Sequence, residues 1–241
     1  AAELERWIAD QFRQGLANLP ADFDADAQRM VARMVDAQAP GLASQLDAAL
    51  CSGTRGLAQL GELALQLGLL QLLTQAVPRR DSLTAARVAD LRAALGWPLE
   101  RESVQRDGEA VADRWHVQGQ RLIEQAGNLI ERRVWLQGLD SGRTALLQEF
   151  SHGGRGWDAQ WLTGCVHAAT LHFHPGTVPL RALASDVQAA MPGPASARPD
   201  TLESATQPYA DNPWLPQVAL RISDVHMAHD GTRGWLQHAE G

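Results

Sequence analysis

Arg29-Met-Val-Ala-Arg-Met-Val-Asp-Ala-Gln-Ala-Pro-Gly-Leu42 decides how the first half of this 241-residue chain is read. Met30, Val31, Met34 and Val35 fall on one helical stripe, and the phase continues past Pro40 to Leu42, Leu46, Ala49 and Leu50. Proline is tolerated in the first turn of a helix, where an N–H has no intrahelical acceptor. The spacing therefore predicts a helix that stops and another that restarts with proline in its first turn; one kinked helix is the alternative. Arg29, Arg33 and Asp36 share a different face at i, i+4 and i+7, the spacing of an ion-pair ladder. Read functionally, the same three side chains present charge to a partner.

Working outward, Leu4, Trp7, Ile8, Phe12, Leu16 and Leu19 predict an amphipathic helix over 3–18 that Pro20 ends. Asp22 or Asp24 can cap the helix leading into the opening stretch. Residues 55–76 form the most apolar segment, with leucine around most of a helical circumference, which indicates central burial. Gly56, Gly61 and Gly68 interrupt it, and the flanking charges of a sustained leucine zipper are missing. Asp81 or Ser82 can cap a helix over 83–95, Gly96-Trp97-Pro98 is a stop, and 98–106 reads as a short charged helix.

From about residue 111 the pattern changes to short apolar runs between Gly and Asn. Gln118-Gly-Gln and Ala126-Gly-Asn suggest strand bends or turns, and Leu139-Asp-Ser-Gly-Arg143 is a hairpin turn between strands at 130–138 and 143–150. Further strands are expected near 165–174 and 179–184. The expected fold is α+β: an N-terminal helical bundle over 1–110, then a small antiparallel β-sheet or barrel-like domain over 111–185. Residues 186–210 read as a linker or loop, and 211–241 as a C-terminal hairpin, pairing 218–222 with 234–238 and packing on the β domain.

Composition narrows the chemistry. The net charge is -7 and all 21 basic residues are arginine, so no Schiff-base, Walker or general-base lysine exists in this sequence. An acidic chain without a basic run is a poor autonomous binder of nucleic acid, unless arginines such as Arg132, Arg133, Arg143 and Arg155 gather on one face. Two distant cysteines, Cys51 and Cys165, make neither a disulfide framework nor a four-ligand zinc site, which points to a reducing cytoplasm. No uncharged apolar run long enough to span a bilayer is evident, so no membrane association is expected.

Several stretches, in order, carry a family resemblance. They are Leu4-Glu-Arg-Trp7 with Arg13-Gln-Gly-Leu16, the Arg29–Leu42 segment, Asp113-Arg-Trp115, and Arg133-Val-Trp-Leu136 with Asp140-Ser-Gly-Arg143. Phe173-His-Pro-Gly176, Pro179-Leu-Arg-Ala-Leu183 and Asn212-Pro-Trp-Leu215 complete the set. Together they resemble the region C-terminal to the zinc-binding motif of bacterial SWIM zinc finger proteins. The defining Cys-x-Cys, Cys-x-His pattern is not in this chain; Cys165-Val-His167 imitates half of it. The resemblance therefore implies zinc in a finger upstream of Ala1, and no zinc ligand or cofactor in this chain. It also implies protein partners, with MoxR-type ATPases and von Willebrand A proteins as candidates.

No catalytic set converges in the sequence. His172 and His174, at i, i+2 on an expected strand, are the best metal candidates, and Glu149 or His152 would have to complete them. Cys165 and His167 have the opposite parity. Ser151-His152 lacks a nucleophile-elbow context, and His226 and His229 read as surface histidines. The expected function is a non-catalytic protein-interaction or scaffold module, with Arg29, Arg33, Asp36, Arg132, Arg133 and Arg143 as candidate interaction residues. A metal-dependent enzyme or hydrolase using the β-domain histidines is the alternative.

Overall fold

The computed structural model describes residues 1–51, 56–125, 127–153, 156–194, 199–231 and 234–238, and divides them into two compact units. The first comprises Ala1–Glu100 with Pro175–Thr177 and Asn212–Trp214; the second comprises Arg101–His174, Val178–Asp211 and Leu215–Gly241. The leading segment of the helical unit runs to Glu100.

The first unit is helical. Helix α1 (Ala2–Gln14) buries Leu4, Trp7 and Ile8. It stops at Gly15, whose φ of 85° suits glycine, and a 3-10 turn over Leu16–Asn18 follows. The expected continuation to residue 18 therefore breaks three residues earlier, and Phe12 lies 45% exposed. Helix α2 (Phe23–Asp36) and helix α3 (Pro40–Cys51) are separate, with Gln38 at φ 56° between them and Pro40 opening the second. The restart reading holds and the kinked helix does not. Asp24 and Asp26 sit in the first turn of α2, where carboxylates complement the helix dipole, but the Asp22 side chain at the N-cap makes no capping hydrogen bond.

Helix α4 (Leu57–Ala76) runs into a 3-10 segment over Val77–Ser82, and α5 (Ala85–Ala94) follows, capped by the Thr84 hydroxyl rather than by Asp81 or Ser82. Leu63, Leu67, Leu70 and Leu73 of α4 meet Leu4, Ile8, Met34 and Leu46 in one core. By length and composition Ala58–Ser82 is apolar enough to cross a membrane, contrary to the sequence expectation. These four leucines nevertheless lie in the bundle core. At the α3 start, Gly41 N donates to the Leu95 carbonyl at 3.0 Å. A methyl on Gly41 would overlap the Ala94 carbonyl. Trp214 donates Nε1 to the Leu69 carbonyl at 3.2 Å, and Asp90, 4% exposed, accepts from the Thr177 hydroxyl at 2.6 Å.

The second unit begins with α6 (Arg101–Asp107) and contains strands β1 (Glu109–Gln125), β2 (Leu129–Gly138), β3 (Thr144–His152), β4 (Cys165–Phe173), β5 (Arg181–Ser185) and β6 (Met191–Pro192). The first half of β1 pairs with β4 and the second half with β2. A bulge between Val117 and Gly119 lets one strand serve both, because an extra residue bends the strand and raises its twist. Pairing continues from β2 to β3, from β3 to β5 in parallel, and from β5 to β4. The ring β1-β2-β3-β5-β4 therefore closes on itself. This strand order, with its parallel closure, is that of the OB-fold barrel. The β domain is thus barrel-like as expected, but mixed rather than wholly antiparallel.

Trp115, Val117, Val134, Leu136, Leu171 and Phe173 fill the barrel interior. One end is closed by Trp161, which is 2% exposed, and by an inward ion pair in which Arg132 reaches Glu149 at 2.5 Å. At the other end buried Asp113 accepts backbone hydrogen bonds from Asp140 (3.1 Å) and Ser141 (2.9 Å), fixing the β2–β3 turn.

The stretch read as a linker or loop over 186–210 is not irregular throughout. It contains β6 and most of helix α7 (Leu202–Asp211), begun by Thr201, whose hydroxyl accepts from Ser204 N at 3.1 Å. The last hairpin pairs β7 (Val225–His229) with β8 (Gly234–His238). The expected first strand at 218–222 belongs to no ladder, and the pairing lies seven residues nearer the turn.

Candidate interaction face of the barrel

Directly paired residues of a sheet share a face, so the register sets rows across β1, β2 and β3. These are Gln125–Leu129–His152, Ile123–Glu131–Phe150, Arg121–Arg133–Gln148 and Gly119–Trp135–Leu146. The alternate rows include Val134, Leu136, Ala145 and Leu147, which line the core, so these four rows lie on the outside.

Glu131 stands at the centre of this face and is 3% exposed. Its carboxylate accepts hydrogen bonds from Arg133 Nε, from Gln148 Nε2 at 2.8 Å and from Gln125 Nε2 at 3.0 Å. Burial pushes the carboxyl up, but those donors and the Arg133 charge outweigh it and hold it below the usual carboxylate range. A buried charge so fully bonded fixes the side chains around it. Phe150 lies 52% exposed beside it, Arg121 and Gln125 are exposed, and Trp135 is half-buried.

Of the sequence candidates, Arg133 belongs to this face. Arg132, its neighbour on β2, points the opposite way into the barrel end, where it also donates to the Ala159 carbonyl at 2.8 Å and stacks on Trp157 at 4.4 Å. Arg143 pairs with Glu109 at 2.6 Å and covers the Phe173 ring at 4.0 Å. These arginines therefore occupy three environments instead of gathering; Arg155 lies outside the described residues. In the helical unit, Arg29 pairs back to Asp26 at 3.0 Å and Arg33 reaches Glu3 of α1. Neither pairs with Asp36, so the i, i+4, i+7 ladder does not form. Trp7 Nε1 donates to the same Asp26 at 2.5 Å, and this bond, followed by the arginine charges, keeps the Asp26 carboxyl low despite some desolvation.

His172 lies on the outer side of β4 and its Nε2 contacts Ser185 Oγ at 3.1 Å. His174 follows the end of the strand; burial first, then the nearby Arg181 charge, lowers its pKa to about 4. Among the described residues, the other ring nitrogens, His172 Nδ1 and His174 Nε2, are buried without a hydrogen-bond partner. Glu149 and His152 do not complete a site with them: Glu149 is bonded to Arg132 inside the barrel, and His152 ends the outer row of β3. Among the described residues no group of three or more His, Cys, Asp or Glu is placed to hold a metal ion. Ser151 and His152 alternate to opposite faces of β3, and so do His226 and His229 of β7. His167 is interior, its Nδ1 3.0 Å from the Gln188 carbonyl.

Glu131, Gln148, Phe150 and Arg121 were not singled out by the sequence. Alternation along 129–137 and 144–152, anchored at the Leu139–Arg143 turn, was the signal that could have aligned the first three with Arg133 and Trp135.

The architecture defines a class: a helical bundle followed in the chain by an OB-type barrel. A family model described as a SWIM-associated four-helix bundle domain matches residues 1–95. No curated protein and no solved structure matches the chain.

Proposed function

We propose that this chain is a non-catalytic protein-interaction module of a SWIM-type zinc finger protein, and that the outer face of β1–β2–β3 is its contact surface. The observation behind the reading is that Trp135, Phe150, Arg121 and Arg133 share one outer face with a locked Glu131. Tryptophan, phenylalanine and arginine are enriched where proteins meet, because they offer large contact area with few lost rotamers or with forked donors. Zinc belongs to a finger elsewhere in the parent protein, and MoxR-type ATPases and von Willebrand A proteins are the partner classes to test. Pull-down from native lysate with the chain, and with Phe150→Ala and Arg121→Glu, checks this. Retention of the same partners by wild type and both variants would sink the assignment of the face.

The strand order favours a second reading. OB barrels present this same face to single-stranded nucleic acid, with aromatic stacking and a basic track. The net charge of -7 works against it. Titration with an oligonucleotide at low and moderate salt separates the two: binding with a salt slope, lost in Arg121→Glu, would favour the nucleic-acid reading.

A further inference from the structure

Helix α4 buries one side in the bundle, and among the described residues its other side is exposed. Along that bare side Ala58, Gly61, Leu65, Gly68 and Leu72 follow each other at spacings of three and four, with Leu65 56% and Leu72 46% exposed. This is the repeat of a helix–helix seam. The two glycines are holes: among the described residues nothing stands within 4 Å of a methyl placed on Gly61 or on Gly68. Trp214, donating to the Leu69 carbonyl, borders one flank.

We propose that the occupant of this seam is α4 of a second copy of the chain, lying antiparallel across a two-fold axis. Leu65 and Leu72 occupy one seam position of the repeat, and Gly61 and Gly68 occupy the other. In an antiparallel pair the two kinds of position meet in each layer, so Leu65 faces Gly68 of the other copy and Leu72 faces its Gly61. Every large side chain then enters the space above a glycine, and both central layers hold the same volume. A parallel pair would set leucine against leucine and glycine against glycine, leaving alternate layers overfull and empty, which close packing disfavours. A partner of unrelated sequence has no reason to match this alternation, whereas a two-fold interface must be self-complementary. Charge also permits it. Glu62 is the sole charged residue of α4, and the two copies of it stand nine residues apart along the axis, about 13 Å, beyond the screening length at physiological salt.

The test is sedimentation of the full chain over a concentration series, under reducing conditions because Cys51 is exposed. The expected result is a reversible dimer whose Kd weakens at least about tenfold in Leu65→Glu and in Gly68→Leu. Both changes fall where the monomer has open space, and circular dichroism confirms that each variant remains folded. Exchanging the two residues, Leu65→Gly with Gly68→Leu, restores one leucine against one glycine in that layer and is expected to recover the dimer. A wild-type chain that stays monomeric, or a Gly68→Leu variant that dimerises as well as wild type, overturns the proposal.

Discussion

Burial of His174 is expected to make the fold sensitive to acid. His174 has its pKa lowered to about 4, so the folded state favours the neutral ring while the unfolded chain takes up a proton near pH 6.5. The unfolded state then binds more protons between those values, and stability falls as the pH drops through that window. The expected loss is about 1–3 kcal/mol from pH 7 to pH 4, and His174→Asn is expected to flatten this part of the curve. Denaturant melts of both proteins across the range measure it; parallel curves would refute the assignment. Arg132 makes a second residue-scale case. With it removed, Glu149 loses its ion-pair partner at the end of the barrel, so Arg132→Ala is expected to cost about 2–4 kcal/mol, and Arg132→Ala with Glu149→Leu to recover much of it. Equal losses in the single and double variants would count against this account.

At the scale of elements, glycines of the same unit predict opposite outcomes. Gly61 and Gly68 sit inside a helix over open space, so alanine there is expected to stabilise the monomer by about 0.5–1 kcal/mol each. Gly41 begins α3 against the Ala94 carbonyl, and alanine there is expected to cost about 2 kcal/mol or more, because backbone must move. Thermal melts that rank the three variants otherwise would contradict the packing described. The helices were largely legible in the sequence, since leucine spacing, Pro40 and the Gly96 stop are local signals. The strand at 130–138 and its turn were legible for the same reason. What escaped were features set by distant partners. The bulge at Val117–Gly119 matters only because β1 must serve β2 and β4 together. The parallel β3–β5 pair joins segments that no local pattern links. Helix α7 was hidden because Pro208 lies inside it and the stretch before it is rich in proline. The buried state of Glu131 could not be read from a strand whose polar residues look alike.

At the scale of the molecule, the core of the helical unit draws on Leu4, Leu46 and Leu67, and that of the barrel on Trp115, Leu136 and Phe173. Each core is expected to unfold in a cooperative transition of its own. Calorimetry is expected to show a heat of unfolding larger than the van't Hoff value, and the Arg132→Ala change is expected to move one transition while leaving the other in place. One transition with equal enthalpies would rule this out. The candidate face was legible only in part for a reason that belongs to this scale: it is assembled from three strands, and a sequence names residues without saying which strands adjoin.

The parallel pair that closes the barrel also sets an order of events during synthesis. Helices α1 to α5 pair mostly with near neighbours in the chain and can gather as soon as they leave the ribosome. The barrel cannot. The first half of β1 waits for β4, whose last residue is Phe173, and β3 waits for Arg181 and Ala182. Until then two rows of unpaired backbone amides stand open, in a segment whose contacts are long in sequence and therefore slow to form. The nascent chain is most vulnerable to capture by other unfolded chains in that interval.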